Sequence, residues 1–460
     1  MRRLELRFLL IVLLVMSAGF FLLRASYVDR GLPSSIHTST GMADISSYFL
    51  TPYPNAIYST LFVSLLVLLH FSLRARLPGA DPFILPAIAF LAGIGLIMAL
   101  RLAPDLAISR NDAVVSILRR SPDARIVLNV LDLARLGMKH FINITLGTLI
   151  CVGVVMLFGE RMFSRISSIK YLWVLMAVAL IGITLVFGNT INGRRLWLFG
   201  FQTVEIVKLL MLLFMASYVY EKGKGIEFYY KGRFTSWLRY VGPFLMMSIF
   251  GLLPIFIQKD FGPVFILSVV ILIMFYYAGS RDSIAAFLVV LIFLTGYVSY
   301  SMGYPSIVRE RFDALFDPFG RNEAMTRVIW AVSSGDLFGS GIGYGQPYRI
   351  PEVQSDFNFA AICEEMGFIG GLSIILALIL LVQRYFLVSL RAGNVYKKTL
   401  AFGIASLTAV QTFVIIAGNL GVIPLTGVTL PFVSCGGSSL VVNFFMAGVM
   451  LTISGERQSE

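Results

Sequence analysis

Apolar runs about 17–25 residues long, the length a helix needs to cross hydrocarbon, recur along this chain and constrain its fold more than any other feature. They fall near 6–24, 56–73, 83–101, 141–158, 171–188, 203–220, 241–257, 262–279, 284–302, 358–382, 399–418 and 434–453. A backbone inside a bilayer finds no water to bond, so each run must satisfy its own amides and carbonyls, which a helix does. The expected fold class is therefore an all-α polytopic membrane protein with about 12 transmembrane helices. The 57% hydrophobic and 13% charged residues stand against about 45–50% and 25% in soluble domains. The first run follows Arg2 and Arg3. It is long and no clear small-residue cleavage site follows, so it reads as an uncleaved span rather than a signal peptide.

The net charge of +12 does not point to nucleic acid. The basic residues lie in loops between apolar runs, where they anchor helices at anionic headgroups. Membrane lipids are thus expected partners, and nucleic acid is not. An even number of spans puts both termini on one side. The loops there, Arg161–Lys170, Lys222–Arg239 and Arg384–Lys398, are short and basic, so both termini, with a tail at 456–460, are placed in the cytoplasm. Segments 25–55, 102–140 and 303–357 then lie outside. The last is a large extracytoplasmic loop before the tenth span, with Gly339-Ser-Gly-Ile-Gly-Tyr-Gly345 in its middle. Cys151, Cys363 and Cys435 sit in or beside apolar runs, and His37, His70 and His140 are scattered. That pattern gives no disulfide framework and no His/Cys metal spacing.

Ionisable groups inside a span are costly and face a cavity or a partner. Asp356 ends the long polar loop just before a span. Partial dehydration there raises a carboxyl pKa and suits it to act as a base. Glu205 and Lys208, three residues apart, share a helix face; they form either a functional pair or one that only holds the bundle together. Lys259-Asp260 is either a polar site or a turn at the membrane surface. Glu364-Glu365 lies about two turns beyond Asp356 and points in two directions about 100° apart, which suits a polar network more than catalysis. Pro424 to Ser439 is rich in Pro, Gly and hydroxyls. It reads as a broken or re-entrant segment, the kind tolerated at membrane depth only inside protein or along a wet cavity; the alternative is an ordinary loop with a tight helix start. Arg194, Arg195, Arg311, Arg327 and Arg349 face outward; guanidinium forks suit pyrophosphate, although most surface arginines are merely solvated and the residues alone single out none of these as a ligand.

Two of these segments carry a resemblance. Pro424-Leu-Thr-Gly-Val-Thr-Leu-Pro-Phe-Val-Ser-Cys-Gly-Gly-Ser-Ser439 and Ser355-Asp-Phe-Asn-Phe-Ala-Ala-Ile-Cys-Glu-Glu-Met-Gly367 resemble motifs of the SEDS family of bacterial cell-wall proteins, the RodA/FtsW/SpoVE type. Asn192-Gly-Arg-Arg-Leu-Trp197, the Glu205/Lys208 pair, Gln258-Lys-Asp-Phe-Gly262, Phe316-Asp-Pro318 and Gly339-Ser-Gly-Ile-Gly343 add weaker matches. The likeness covers about residues 83–455. Thr203-Val204 stand where the family has Pro-Ser, Lys259 where it has Pro, Cys435 where Tyr is usual and Asp336 where a second Gly is usual. Residues 1–75 read as an extra transmembrane hairpin ahead of a ten-helix SEDS-like core at 76–455.

The resemblance implies a peptidoglycan glycosyltransferase acting on lipid II at the outer face of the bacterial cytoplasmic membrane. Its usual partner is a class B penicillin-binding transpeptidase. The family's essential Asp carries over to Asp356 as general base. One inverting displacement converts the α-linked donor to a β-linked glycan, so a covalent intermediate is not required. Arg194, Arg195 and Lys208 are the candidates to stabilise the departing pyrophosphate. Glu205, Ser438 and Ser439 complete the expected substrate-binding set. A divalent cation, Mg2+ or Mn2+, is a candidate for the same task, since Mg2+ bridges phosphates with only one or two protein carboxylates; no organic cofactor is expected. A lipid II flippase and a non-catalytic wall-synthesis scaffold are the rival readings. Elongation, division and sporulation roles are not separated.

Overall fold

The computed structural model describes residues 2–29, 53–118, 135–191, 194–228, 242–278, 282–303 and 306–456. Parts of the sequence-predicted segments 25–55 and 102–140, of the basic loop Lys222–Arg239, of the Asn192-Gly193 motif and of the tail 456–460 lie outside the described residues. The elements run α1 (Arg2–Asp29), α2 (Tyr53–Arg76), α3 (Ile84–Leu118), α4 (Leu136–Leu157), α5 (Glu160–Ser168), α6 (Lys170–Phe187), β1 (Asn189–Ile191), β2 (Arg194–Leu198), β3 (Phe201–Gln202), α7 (Thr203–Phe228), α8 (Gly242–Ile257), α9 (Phe261–Tyr277), α10 (Asp282–Met302), α11 (Ser306–Phe316), α12 (Pro318–Arg321), α13 (Glu323–Ser334), α14 (Asn358–Arg391), α15 (Val395–Asn419) and α16 (Gly437–Gly455). Among the described residues, nine helices are long and apolar enough to cross a membrane: α1, α2, α3, α4, α6, α7, α14, α15 and α16. The other three expected spans fall on α8, α9 and α10, whose apolar stretches Gly242–Ile257, Phe261–Tyr277 and Val289–Met302 are shorter.

The helices sort into a centre and a rim. Apolar windows of α3 and α7 are 89% and 83% buried, whereas those of α1, α2 and α6 are 22–28% buried. The rim presents Leu10, Leu14, Phe21, Leu175, Val186 and Phe187 outward, as lipid-facing helices must. Polar groups follow the opposite rule. Arg101 on α3, Glu205 and Lys208 on α7 and Gln411 and Asn419 on α15 are all buried, as costly groups in a span should be. Small residues let backbones approach. A Cβ on Gly147 of α4 would stand 2.6 Å from Phe444 of α16, and one on Gly93 of α3 would stand 2.2 Å from Met16 of α1.

Three features depart from the sequence expectation. The all-α assignment misses a small antiparallel sheet in the order β1-β2-β3. Phe199 and Gly200 turn β2 into β3 with both φ values positive, the geometry of a tight two-residue hairpin turn; β-branched and aromatic residues around it favour strand. Next, α3 continues to Leu118, past its apolar span, because Pro104 is accommodated inside the helix. Finally, the loop at 303–357 holds α11, α12 and α13 together with a single 3-10 turn, Pro347–Arg349. Asn322 caps α13 by accepting from the Met325 amide at 3.0 Å, a side-chain cap of the favoured type.

Candidate active site

The site is built around residues 420–436, which run irregularly between α15 and α16 as the Pro/Gly/hydroxyl pattern predicts. Val428, Leu430, Phe432, Val433 and Ser434 are buried, so the segment's polar backbone must be paired inside protein. Gln411 Nε2 donates to the Thr429 carbonyl at 2.8 Å. The Leu430 amide donates to Ser434 Oγ at 3.0 Å, and the Cys435 amide to the Gln354 carbonyl at 2.9 Å. Arg311 Nη1 donates to the Thr426 carbonyl at 3.1 Å. Two glycines admit the segment: a Cβ on Gly95 of α3 would stand 2.4 Å from the Val433 carbonyl oxygen, and one on Gly262 of α9 2.3 Å from that of Thr426.

Beside this segment opens a cavity of about 250 Å3 whose lining includes Asp356, Arg311, Glu310, Asn322, Asn419 and Thr426. Asp356 lies two residues before the first turn of α14. Its amide donates to the Glu352 carbonyl at 3.1 Å, and its carbonyl accepts from Asn419 Nδ2 at 3.0 Å, so its backbone is fixed from both sides. Gly427 has φ +67°, and the place its Cβ would take lies 3.4 Å from Arg311 Nη2 and 3.5 Å from Asp356 Oδ2. The two charges therefore face each other across a bare backbone. Neither makes an ion pair within 4 Å among the described residues.

Burial pushes the Asp356 carboxyl up to about 6. The Ser355 hydroxyl and the Arg311 charge oppose the rise, while Glu352 and Asp260 add to it. Asp260, in the turn between α8 and α9, is likewise pushed up to about 6 by burial, against Arg311, Arg194 and Lys208. Burial and the Arg194 charge pull Arg311 below the usual guanidinium range, with Asp260 and Asp356 opposing. Arg194, Asp260, Arg311 and Asp356 thus share one field. A carboxyl that titrates near 6 is mostly ionised at neutral pH yet still basic enough to take a proton.

The other sequence candidates fall around this centre in different ways. Glu205 and Lys208 pair at 2.8 Å, and Lys208 Nζ donates to Gln411 Oε1 at 3.1 Å. Through Gln411 the pair supports the Thr429 backbone. Ser438 Oγ accepts from the Gln202 amide at 2.7 Å and Ser439 Oγ from Asn443 Nδ2 at 3.2 Å. Both hydroxyls are buried and lie off the cavity lining. Arg195 turns away: its guanidinium donates to the carbonyls of Leu185 and Val186 at 2.9 and 3.2 Å, closing the end of α6. Arg194 alone of that pair reaches the field around Asp260 and Arg311. Arg327 bonds Glu323 and the Arg349 carbonyl and is likewise spoken for. Glu364-Glu365 forms the polar network its spacing suggests. Glu365 meets Arg101 Nε at 2.7 Å, and Glu364 accepts from the Gln346 amide at 2.6 Å.

Sequence reasoning named Asp260 and Arg311 without ranking them. Asp260 sat in what could be a plain turn, and Arg311 was one of many arginines. Only the fold brings Arg311 into the cavity lining and Asp260 into the charge field beside it. The Lys259 turn has φ +60°, a conformation closed to the Pro usual there. Among the described residues no group of three or more His, Cys, Asp or Glu could hold a metal. Asp260 Oδ2 and Gln258 Oε1 are nonetheless buried without a hydrogen-bond partner. They are oxygen donors of the kind a hard cation takes, and one or two carboxylates suffice for Mg2+ when phosphates supply the remaining ligands.

Residues 126–459 match the family model for the FtsW, RodA and SpoVE cell cycle proteins. Stage V sporulation protein E of Bacillus subtilis (strain 168) is 34% identical over 303 residues, 64% of this chain and 79% of that protein. The peptidoglycan glycosyltransferase RodA of Mycobacterium tuberculosis (strain ATCC 25618 / H37Rv) is 26% identical over 472 residues, 98% of this chain and 90% of its own length. Among solved structures, the Thermus thermophilus rod shape determining protein RodA superposes with a TM-score of 0.56 at 20% identity, over 83% of this chain and 98% of that one. A chain from a peptidoglycan synthase complex that coordinates polymerization and crosslinking gives a TM-score of 0.61 at 21% identity, over 82% and 97%. Sequence motifs, helical architecture and these matches agree: the chain is a member of the FtsW/RodA/SpoVE family and a multi-pass membrane protein.

Proposed function

We propose that this chain is a peptidoglycan glycosyltransferase that polymerises lipid II, with Asp356 as general base. The observation that carries the reading is the half-buried Asp356 carboxylate facing Arg311 across a cavity, in a chain whose relatives include proteins named peptidoglycan glycosyltransferases. The acceptor's 4-hydroxyl attacks C1 of the donor sugar, its proton passes to Asp356, and the bond from C1 to the undecaprenyl pyrophosphate oxygen breaks. Pyrophosphate leaves as a stable anion, so it needs positive charge more than a proton. Arg311 and Arg194 supply that charge from fixed positions, which costs little reorganisation. Lys208, tied to Glu205 and Gln411, acts by holding the 420–436 segment. A divalent cation, Mg2+ or Mn2+, would be held by Asp260 with Gln258 and would neutralise pyrophosphate charge when bound.

This reading places the Asp356 end at the outer face of the cytoplasmic membrane, with both termini in the cytoplasm. It makes a class B penicillin-binding transpeptidase the partner. Buried charge elsewhere favours this over a transport path. Lys397 pairs with Glu160 and Glu456, and Arg384 lies 3.7 Å from Asp81, all at the end of the bundle opposite Asp356. No charged file between the two ends exists among the described salt bridges.

The test is glycan polymerisation from labelled lipid II by the chain co-purified with its transpeptidase, with a divalent cation present. Polymer from wild type and none from a folded Asp356→Asn variant is the expected result. Equal polymer from both removes Asp356 as base. Transport of labelled lipid II across vesicles without polymer would point to the flippase instead.

A further inference from the structure

The hairpin α1–α2 lies outside the ten-helix core, yet its end meets the site's supporting loop. At the last turn of α1, Asp29 Oδ2 accepts from Tyr344 Oη at 2.7 Å. Tyr27 Oη donates to the Leu100 carbonyl of α3 at 2.6 Å. Ser26 lies against Gly343: a Cβ there would meet Ser26 Oγ at 2.3 Å, and Gly343 has φ +94°. Only glycine fits both the conformation and the contact.

The loop so held, 339–346, in turn wraps a break in α14. Gly367 has φ +66° and ψ −166°, so the helix cannot continue its hydrogen bonds there. The loop takes them over. The Ser340 and Gly341 amides donate to the carbonyls of Glu364 and Glu365 at 2.9 and 3.0 Å, and just before the loop the Asp336 carbonyl accepts from the Phe368 amide at 2.8 Å. The Gly343 amide donates to Glu365 Oε2 at 3.1 Å. Arg101, fully buried, joins Glu365, Asp105 at 2.5 Å and the Gly345 carbonyl at 3.0 Å. The stretch of α14 before the break is a short helical piece, and Asp356 stands at its head.

We infer that the hairpin is a positioning element for Asp356: Asp29 and Tyr344 fix the glycine loop, and the loop sets the tilt of the α14 segment before Gly367. This rests on the glycosyltransferase reading for its kinetic consequence but not for its structural one. The hairpin is anchored so that it can bear this load. Met16 fills the space above Gly93, and at the far end the buried Glu5 carboxylate meets His70 Nδ1 at 2.7 Å. The match to the mycobacterial RodA extends over 98% of the chain and so takes in the hairpin.

The experiment uses the full chain with its transpeptidase and compares Asp29→Ala, Asp29→Asn, Tyr344→Phe and the Asp29→Ala/Tyr344→Phe pair. A lost aim should lower kcat about threefold to tenfold with KM for lipid II unchanged, since small misplacements tax the chemical step. The pair should cost no more than either single change, because both remove one contact. Asp29→Asn keeps an oxygen that accepts from Tyr344 and should retain wild-type kcat. In parallel, amide hydrogen exchange on the same proteins should rise at 335–346 and 364–369 in Asp29→Ala and Tyr344→Phe, and not in Asp29→Asn. Unchanged exchange there overturns the inference whether or not polymer forms. Raised exchange with unchanged kcat, or with a KM effect alone, overturns the positioning role and leaves only a structural contact. A wild-type chain that makes no polymer refutes the glycosyltransferase reading, and the exchange result then decides the coupling by itself.

Discussion

Replacing Arg311 by Gln should move the pH at which the enzyme switches on. Arg311 Nη2 and Asp356 Oδ2 lie 3.4 and 3.5 Å from one point, so they are at most about 7 Å apart. Unit charges at about 7 Å in an effective dielectric near 20 interact by roughly 2 kcal/mol. Asp356 is half-buried, and solvent screening removes about half of that, leaving roughly 1 kcal/mol, somewhat under one pKa unit. Arg311 holds Asp356 down, so its loss raises a carboxyl already at about 6. The sign is fixed by the role. A base works only when ionised, so activity rises with pH through its pKa, and a higher pKa moves the rise to higher pH. At pH 6 the ionised fraction should fall from about a half to about a sixth, while at pH 8 almost all remains ionised. The assay is the initial rate of glycan formation from labelled lipid II between pH 5 and 8.5. Arg311→Lys, which keeps the charge, should hold the wild-type midpoint. Loss of phosphate contacts would lower the plateau in either variant, so the midpoint and the plateau report separate things. A Gln variant with an unmoved or lowered midpoint refutes the electrostatic argument.

Four other substitutions test other parts of the site. Lys208→Ala leaves Glu205 buried without its 2.8 Å partner and should cost about 3–5 kcal/mol, read as a lower Tm in detergent; Glu205→Leu with Lys208→Met should recover the Tm without restoring polymerisation. Gly262→Ala places a Cβ 2.3 Å from the Thr426 carbonyl oxygen, a backbone contact with no side chain to give way. It should cut the polymerisation rate more than about tenfold if a shift near 1 Å at the cavity matters, and near-normal rates would show that the segment moves freely. Arg194→Ala should weaken lipid II binding, seen as a higher KM, because Arg194 reaches the field around Asp260 and Arg311. Arg195→Ala should leave KM alone and lower thermal stability, since its partners are carbonyls at the end of α6.

The spans were legible because hydrocarbon imposes one answer on an apolar run. Each of the twelve runs meets a helix, down to the three shorter ones. The 420–436 break was legible because Pro, Gly and hydroxyl residues crowd there and together disfavour a continuous helix. Contacts between distant segments were not. Nothing local to Arg311 marks it off from Arg327 or Arg349, yet one faces a cavity and another is tied to Glu323. Arg194 and Arg195 are neighbours, but a strand sends successive side chains to opposite faces, and the sequence does not say which face meets the site. The sheet was missed because its strands are short and sit in a loop, where span-length patterns carry no information.

The pattern of pairing separates two kinds of buried charge. Arg101 with Glu365 and Lys208 with Glu205 are buried pairs, and the buried Lys397 is joined to the more exposed Glu160 and Glu456. Each gains enough from its partner to offset part of the cost of leaving water. Asp356 and Arg311 are arranged otherwise: Gly427 stands between them, and Asp260 keeps one buried oxygen without a hydrogen bond. Collapse of Arg311 onto Asp356 would lower the energy of the resting protein, yet Thr426 holds the guanidinium and Asn419 and Glu352 hold the aspartate backbone. Such an unmet field persists only where surrounding structure over-determines it. A substrate bringing an anionic pyrophosphate to Arg311 and a hydroxyl proton to Asp356 would satisfy both charges at once. It would do so most fully as the proton moves and the phosphate charge develops, and an interaction that strengthens along the reaction lowers its barrier.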